Sequence, residues 1–249
     1  MKKLVVGALL IVLPLTVFPC TASELVVGKF SLGDLTGWSD EIFKGRTTYA
    51  LVADNGKNVL KAHSVKAASG LIRKIKLDPK EYPILRWSWK VEHSLKKEDV
   101  KHKSGDDFAA RVYVVFPRTF IWNTRAINYV WASKMPSGSA APSPYTGNAI
   151  IVAVESGDEK AGQWTSEERN IYEDYRKLFG EEPPKIGAVA IMTDTDDTRD
   201  EVTAWFGDIL LESLNHAPLP PSPKQDLPLP ALVLSPLTPP SPKDQHVIK

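Results

Sequence analysis

The sequence predicts a mainly β fold, an antiparallel, jelly-roll-like β-sandwich with one helix at 165–179, set between an export signal and a proline-rich tail. Three observations carry this. Leu85, Trp87, Trp89 and Val91 alternate with Arg86, Ser88, Lys90 and Glu92, the period of a strand with one buried and one wet face. Short segments of this kind recur between turn signals without alternating helices, which favours a sandwich over a parallel α/β sheet. Half of the 20 prolines lie between Pro218 and Pro242, outside the β pattern.

Lys2 and Lys3 precede an uncharged run at 4–18, and Cys20-Thr21-Ala22 puts a small residue before a cut. That order is a secretory signal peptide with cleavage after Ala22. The run contains Pro14 and falls short of the ~20 apolar residues of a membrane-spanning helix, so no permanent span is expected after signal removal. The expected location is periplasmic or secreted. Acylation of Cys20, the only cysteine, is the minority reading, because Phe18 and Pro19 stand where small residues are required. Residues 1–22 carry Lys2 and Lys3, so their loss turns 31 basic against 30 acidic side chains into 29 against 30. A near-neutral product has no charge excess with which to attract nucleic acid.

The tail at 217–249 cannot donate enough backbone hydrogen bonds for helix or sheet and favours extended, disordered chain. It reads as a solvated end or as an arm that contacts envelope components, with its one apolar cluster at 229–234. Between the ends, 23–216 has the length of one domain.

Within that domain, 49–53 and 58–63 flank Asp54-Asn55-Gly56-Lys57, a hairpin signal. Strands follow at 71–77, 85–91, 108–116, 126–132, 149–154, 186–193 and 202–211. The run at 108–116 is almost wholly apolar and reads as a central strand covered on both faces. Trp87 and Trp89 share a face with Leu85 and Val91 and are assigned to the core. One helix breaks the pattern. Thr165 and Glu168 form a capping box, Ile171, Tyr172, Tyr175, Leu178 and Phe179 follow at helical spacing, and Gly180 ends it before Pro183-Pro184.

Familiar catalytic patterns are absent. There is no nucleophile elbow, phosphate loop, dinucleotide fingerprint or paired-histidine zinc helix. His93 and His102 lie in a loop with Lys96, Lys97, Lys101 and Lys103 that reads as solvated. The acids that remain stand at strand ends: Asp106, Asp107, Glu155, Asp194, Asp196 and Asp197. Asp194-Thr195-Asp196 begins like a calcium loop, but Arg199 stands where an EF-hand has glycine and no glutamate closes it.

Arg111 inside the apolar strand requires a partner, since a buried unpaired charge is costly. Asp107, four residues earlier, and Glu155, on another strand, are the candidates. The structural reading is an ion-paired network. The functional one is a polar cleft in which Asp107, Arg111, Asn128 and Glu155 bind sugar hydroxyls while Tyr129 and Trp131 supply a stacking face. A glycosidase would use Glu155 with Asp107 or Asp194 as its two carboxylates.

Phe30 and Trp38, with the closing Trp205-Phe206-Gly207-Asp208-Ile209, resemble the first and last strands of jelly-roll carbohydrate-binding modules. That likeness implies a structural calcium near Asp208, although Ser31 stands where the modules carry an acid. Trp87-Ser88-Trp89-Lys90-Val91, Gly105-Asp106-Asp107-Phe108, Asn128-Tyr129-Val130-Trp131 and Met192-Thr193-Asp194-Thr195-Asp196 resemble a bacterial exported family catalogued as domain of unknown function 3047, over most of residues 30–212. It implies export and one domain, and no site. The function expected is non-catalytic binding of a glycan or cell-envelope polymer. The alternatives are a carbohydrate-active enzyme and an envelope assembly protein.

Overall fold

The computed structural model describes residues 24–213. The signal at 1–22 and the tail at 217–249 lie outside the described residues.

The chain forms β1 (Glu24–Gly28), β2 (Trp38–Lys44), β3 (Thr48–Asp54), β4 (Lys57–Val65), β5 (Ala68–Leu77), β6 (Ile84–Val91), β7 (Ala110–Phe116), β8 (Arg125–Ala132), β9 (Ala140–Pro142), β10 (Ala149–Ser156), β11 (Thr165–Asn170), β12 (Ile186–Asp194) and β13 (Glu201–Glu212), with α1 at Ile171–Phe179. One sheet runs β11-β6-β13-β4-β3, with β1 added beside β13. The other runs β2-β5-β12-β7-β8-β10-β9. The sheets face each other as a sandwich. All pairings are antiparallel except β8 with β10, which are parallel because the chain crosses 133–148 before re-entering the sheet.

The alternating strand makes the core. Leu85, Trp87, Trp89 and Val91 of β6 are buried and meet the inner face of the opposite sheet. There Trp87 lies 5.4 Å from Tyr129 and Trp89 lies 6.0 Å from Trp131, ring centroid to ring centroid. Every residue of β7 is buried. Ala110, Val112, Val114 and Phe116 point into the sandwich. Tyr113 and Val115 point the other way, onto a face shared with Ala126, Ala149, Ala188, Ala190 and Met192. Loops cover part of that outer face: Phe108 and Met135 pack there with Val130, Ala132, Ile151 and Ala153. A strand covered on both sides is apolar at nearly every position.

The β3–β4 hairpin turns on Asn55 and Gly56, both at positive φ (51° and 78°), the conformation of a two-residue turn that follows the sheet twist. The helix is shorter than its spacing predicts. Residues 165–170 are an edge strand paired with β6, and Asn170 caps α1 by accepting the Glu173 N–H at 3.1 Å. The capping box fails because Glu168 extends sideways to Arg86 on the neighbouring strand. The C-terminal end agrees with expectation, with Gly180 left-handed at φ 70°. Among the described residues no helix is long and apolar enough to cross a membrane.

The lysine-rich loop is only half solvated. Its lysines are exposed, but Leu95 and Glu98 are buried. Glu98 accepts main-chain N–H groups of Ser133, Lys134 and Met135, which ties this loop to the end of β8.

Candidate functional site

Several of the expected binding residues lie where no ligand reaches. Tyr129 and Trp131 belong to the inner face and are 0% and 1% exposed. Tyr129 donates its hydroxyl to Asp174 at 2.7 Å, and Trp131 donates its indole N–H to the Gly157 carbonyl at 3.0 Å. These rings fill the core, so the expected stacking face is a packing face. The odd positions of β8 face β6, whose own aromatic rings occupy the space.

Glu155 is separated from the other acids. A bulge between Ala153 and Glu155 aligns Glu155 with Trp131, hence with the inner side of the sheet. Its carboxylate accepts from Lys160 at 2.6 Å. Near it Glu167 accepts the Trp89 indole N–H at 3.1 Å, and burial, then the charge of Glu155, raises the Glu167 carboxyl above its ordinary range. Asp194 projects from the opposite face, with Met192 and Ala190. The register therefore does not bring Glu155 together with Asp107 or Asp194 as a catalytic pair.

Arg111 is fully buried, and its partners are Asp194 and Asp106. Nε donates to Asp194 Oδ1 at 2.7 Å and Nη2 to Asp194 Oδ2 at 2.6 Å, a two-point clamp. Nη2 also reaches the Asp106 carbonyl at 2.6 Å. Asp107 serves the neighbouring turn, accepting the Thr198 N–H at 2.5 Å. Asn128 sits on the outer face, 2% exposed, with no hydrogen bond to its side-chain oxygen. Asp208, the expected calcium position, is occupied by Ser31: the Ser31 N–H and hydroxyl donate to its two oxygens at 2.8 and 2.5 Å. Serine supplies two neutral donors where a second acid would have helped to hold a cation.

The surface that is built and open lies elsewhere. The loop between β7 and β8 presents Phe120, Ile121 and Trp122 at 52, 66 and 61% exposure. The Phe120 and Trp122 rings stack 4.9 Å apart and 10° from parallel. A short 3-10 turn at Ile121–Asn123 sets this geometry, closed by Asn123 N–H to the Phe120 carbonyl at 2.9 Å and Thr124 N–H to the Ile121 carbonyl at 3.0 Å. Asn148 donates to the Trp122 carbonyl at 2.7 Å. At the base, Arg118 and Arg125 both pair with Glu181, which also accepts the Tyr175 hydroxyl at 3.0 Å. An apolar cluster held from both sides on a polar rim is the surface feature that marks interaction sites.

Period-two and helical spacing give no signal for this loop, because three apolar residues in a row fit neither pattern. The available signal was their position, after Pro117-Arg118 and before Asn123, in a connection between two strands.

A family model for DUF3047, described as a protein of unknown function, matches residues 36–210. The chain belongs to this family. The match to DUF3047 covers β2 through most of β13 and includes both the Arg111 network and the aromatic loop. Among curated protein sequences none matches this DUF3047 chain significantly. Solved structures resemble it distantly. The carbohydrate recognition domain of Emp47p is 7% identical, with 77% of this chain and 96% of that chain covered and a TM-score of 0.46. The family 30 carbohydrate-binding module of a Clostridium thermocellum cellulosomal cellulase is 12% identical, covering 80% and 96%, at a TM-score of 0.38. The xyloglucanase domain of NopAA from Sinorhizobium fredii is 11% identical, covering 71% and 92%, at 0.42. Likenesses this distant say nothing about what the DUF3047 chain binds.

Proposed function

We propose that this domain is an exported, non-catalytic binding module for a glycan or cell-envelope polymer, and that the loop at 120–122 is its contact surface. The observation that carries the reading is the Phe120–Trp122 pair, stacked and more than half exposed on an anchored loop. A sugar ring has apolar C–H faces and a hydroxyl edge. It is matched by flat aromatic groups with amide and guanidinium groups beside them. Here Asn123 follows the rings in the loop, Asn148 holds the Trp122 carbonyl, and Arg118 lies two residues before Phe120. Export and periplasmic or extracellular location belong to the same proposal and rest on the residue order at 1–22.

The test is binding of the purified chain to a panel of bacterial and plant polysaccharides and to isolated cell envelope, with folding checked by a cooperative melt. Retention on one polymer class supports the reading. A folded protein that binds none of them contradicts it and favours an assembly role, for which partner capture with and without residues 217–249 is the measurement.

A further inference from the structure

We propose that Asp107, Asp194 and Asp196 form a binding site for a hard divalent cation, with calcium the ion that fits best. Asp107 immediately precedes Phe108 and β7, Asp194 ends β12, and Asp196 lies in the turn that follows. All three are buried, at 0, 0 and 4% exposure. One carboxylate oxygen from each lies within 4.8 Å of the other two. Calcium holds oxygens at about 2.4 Å, so its ligands stand no more than about 4.8 Å apart. An all-carboxylate set suits calcium, magnesium or manganese over softer metals.

A second observation points to a ligand. Asp107 Oδ1 is buried and accepts no hydrogen bond, although Oδ2 is held by Thr198. Asp106 Oδ2, beside the cluster, is buried and unpartnered too. Buried carboxylate oxygens are normally paired, because leaving one without a donor costs its desolvation in full. A cation at the cluster removes that cost.

Charge balance agrees. Among the described residues Arg111 is the one buried cation, and it serves both Asp194 and Asp106. Lys44 approaches Asp196 at 3.5 Å from a largely exposed position. Asp106, Asp107, Asp194 and Asp196 are thus buried near one buried guanidinium, which pairs with two of them. The turn after Asp194 contains one left-handed residue. Counting from Asp194, the sixth residue is Arg199, whose φ of 56° is the left-handed turn for which an EF-hand loop carries glycine.

The test uses the purified chain, dialysed against chelator and titrated with calcium chloride by calorimetry and thermal melting, with magnesium and manganese as parallel arms. Calcium at about 100 times its Kd should raise the melting temperature by about 5–10 °C. Asp107→Asn and Asp196→Asn should each weaken binding at least about tenfold. If Asp107→Asn fails to fold, the wild-type titration and Asp196→Asn decide. No heat and no melting shift with any of the three ions overturns the proposal. Binding that persists unchanged in Asp196→Asn overturns it equally, since the ion then sits elsewhere.

Discussion

Arg111 grips Asp194 with two hydrogen bonds of 2.7 and 2.6 Å where neither side chain meets water. This joins the start of β7 to the end of β12, positions 83 residues apart in sequence. Arg111→Ala would leave Asp194 and Asp106 buried without a cation. The expected loss is about 3–5 kcal/mol of unfolding free energy, measured by urea denaturation. Arg111→Lys should rescue little of it, because an ammonium cannot reproduce the planar fork.

Two tryptophans with contrasting roles follow from exposure. Trp131 is buried against Trp89, so Trp131→Ala should cost about 3–5 kcal/mol. Trp122 is largely exposed, so Trp122→Ala should change stability by no more than about 0.5 kcal/mol. Paired urea curves test both. Equal losses would mean that the 120–122 loop is part of the packed core.

The start of α1 gives a local prediction. Asn170→Ala removes the acceptor for the Glu173 N–H and should cost about 1 kcal/mol. Thr165→Ala should not act as a cap substitution, because Thr165 lies in β11 opposite Trp89. Its effect on the melting temperature should therefore be smaller than that of Asn170→Ala.

Glu167 gives a pH dependence. Its carboxyl is raised by burial and by Glu155, so the folded state holds this proton more tightly than the unfolded state. The stability it contributes is fully present below the unfolded value near 4.5 and is lost as pH rises through the folded value. Glu167→Gln keeps an acceptor for Trp89 and removes the charge. It should raise the melting temperature at pH 7 and leave it unchanged at pH 4. A lower melting temperature at pH 7 would mean that the ionised form is the one the fold favours.

Period-two alternation made the fold legible. Trp87 and Trp89 read as core and are core, and the Asp54–Lys57 turn reads as a hairpin and is one. Short edge strands carried too little pattern: β9 has three residues, and β11 is the polar run Thr165–Asn170. The helix start was misplaced because Thr165 and Glu168 satisfy a capping box as well as an edge strand, and only pairing with β6 decides between them. The site was less legible. That Arg111 requires an acid could be read from an apolar strand, but which acid depends on strand order. Tyr129 and Trp131 alternate correctly, yet the pattern does not say which side of the sheet is wet. Phe120 and Trp122 break the rule that apolar residues are inside, so periodicity had no place for them.

The most direct test of the binding surface is a comparison of the wild-type chain with a Phe120→Ala, Trp122→Ala double variant on the polymer that the panel selects, by calorimetry or affinity electrophoresis. The stacked-pair account predicts an affinity loss of at least about tenfold with an unchanged melting temperature. Undiminished affinity in a folded double variant would contradict it and place the binding surface on another part of the sandwich.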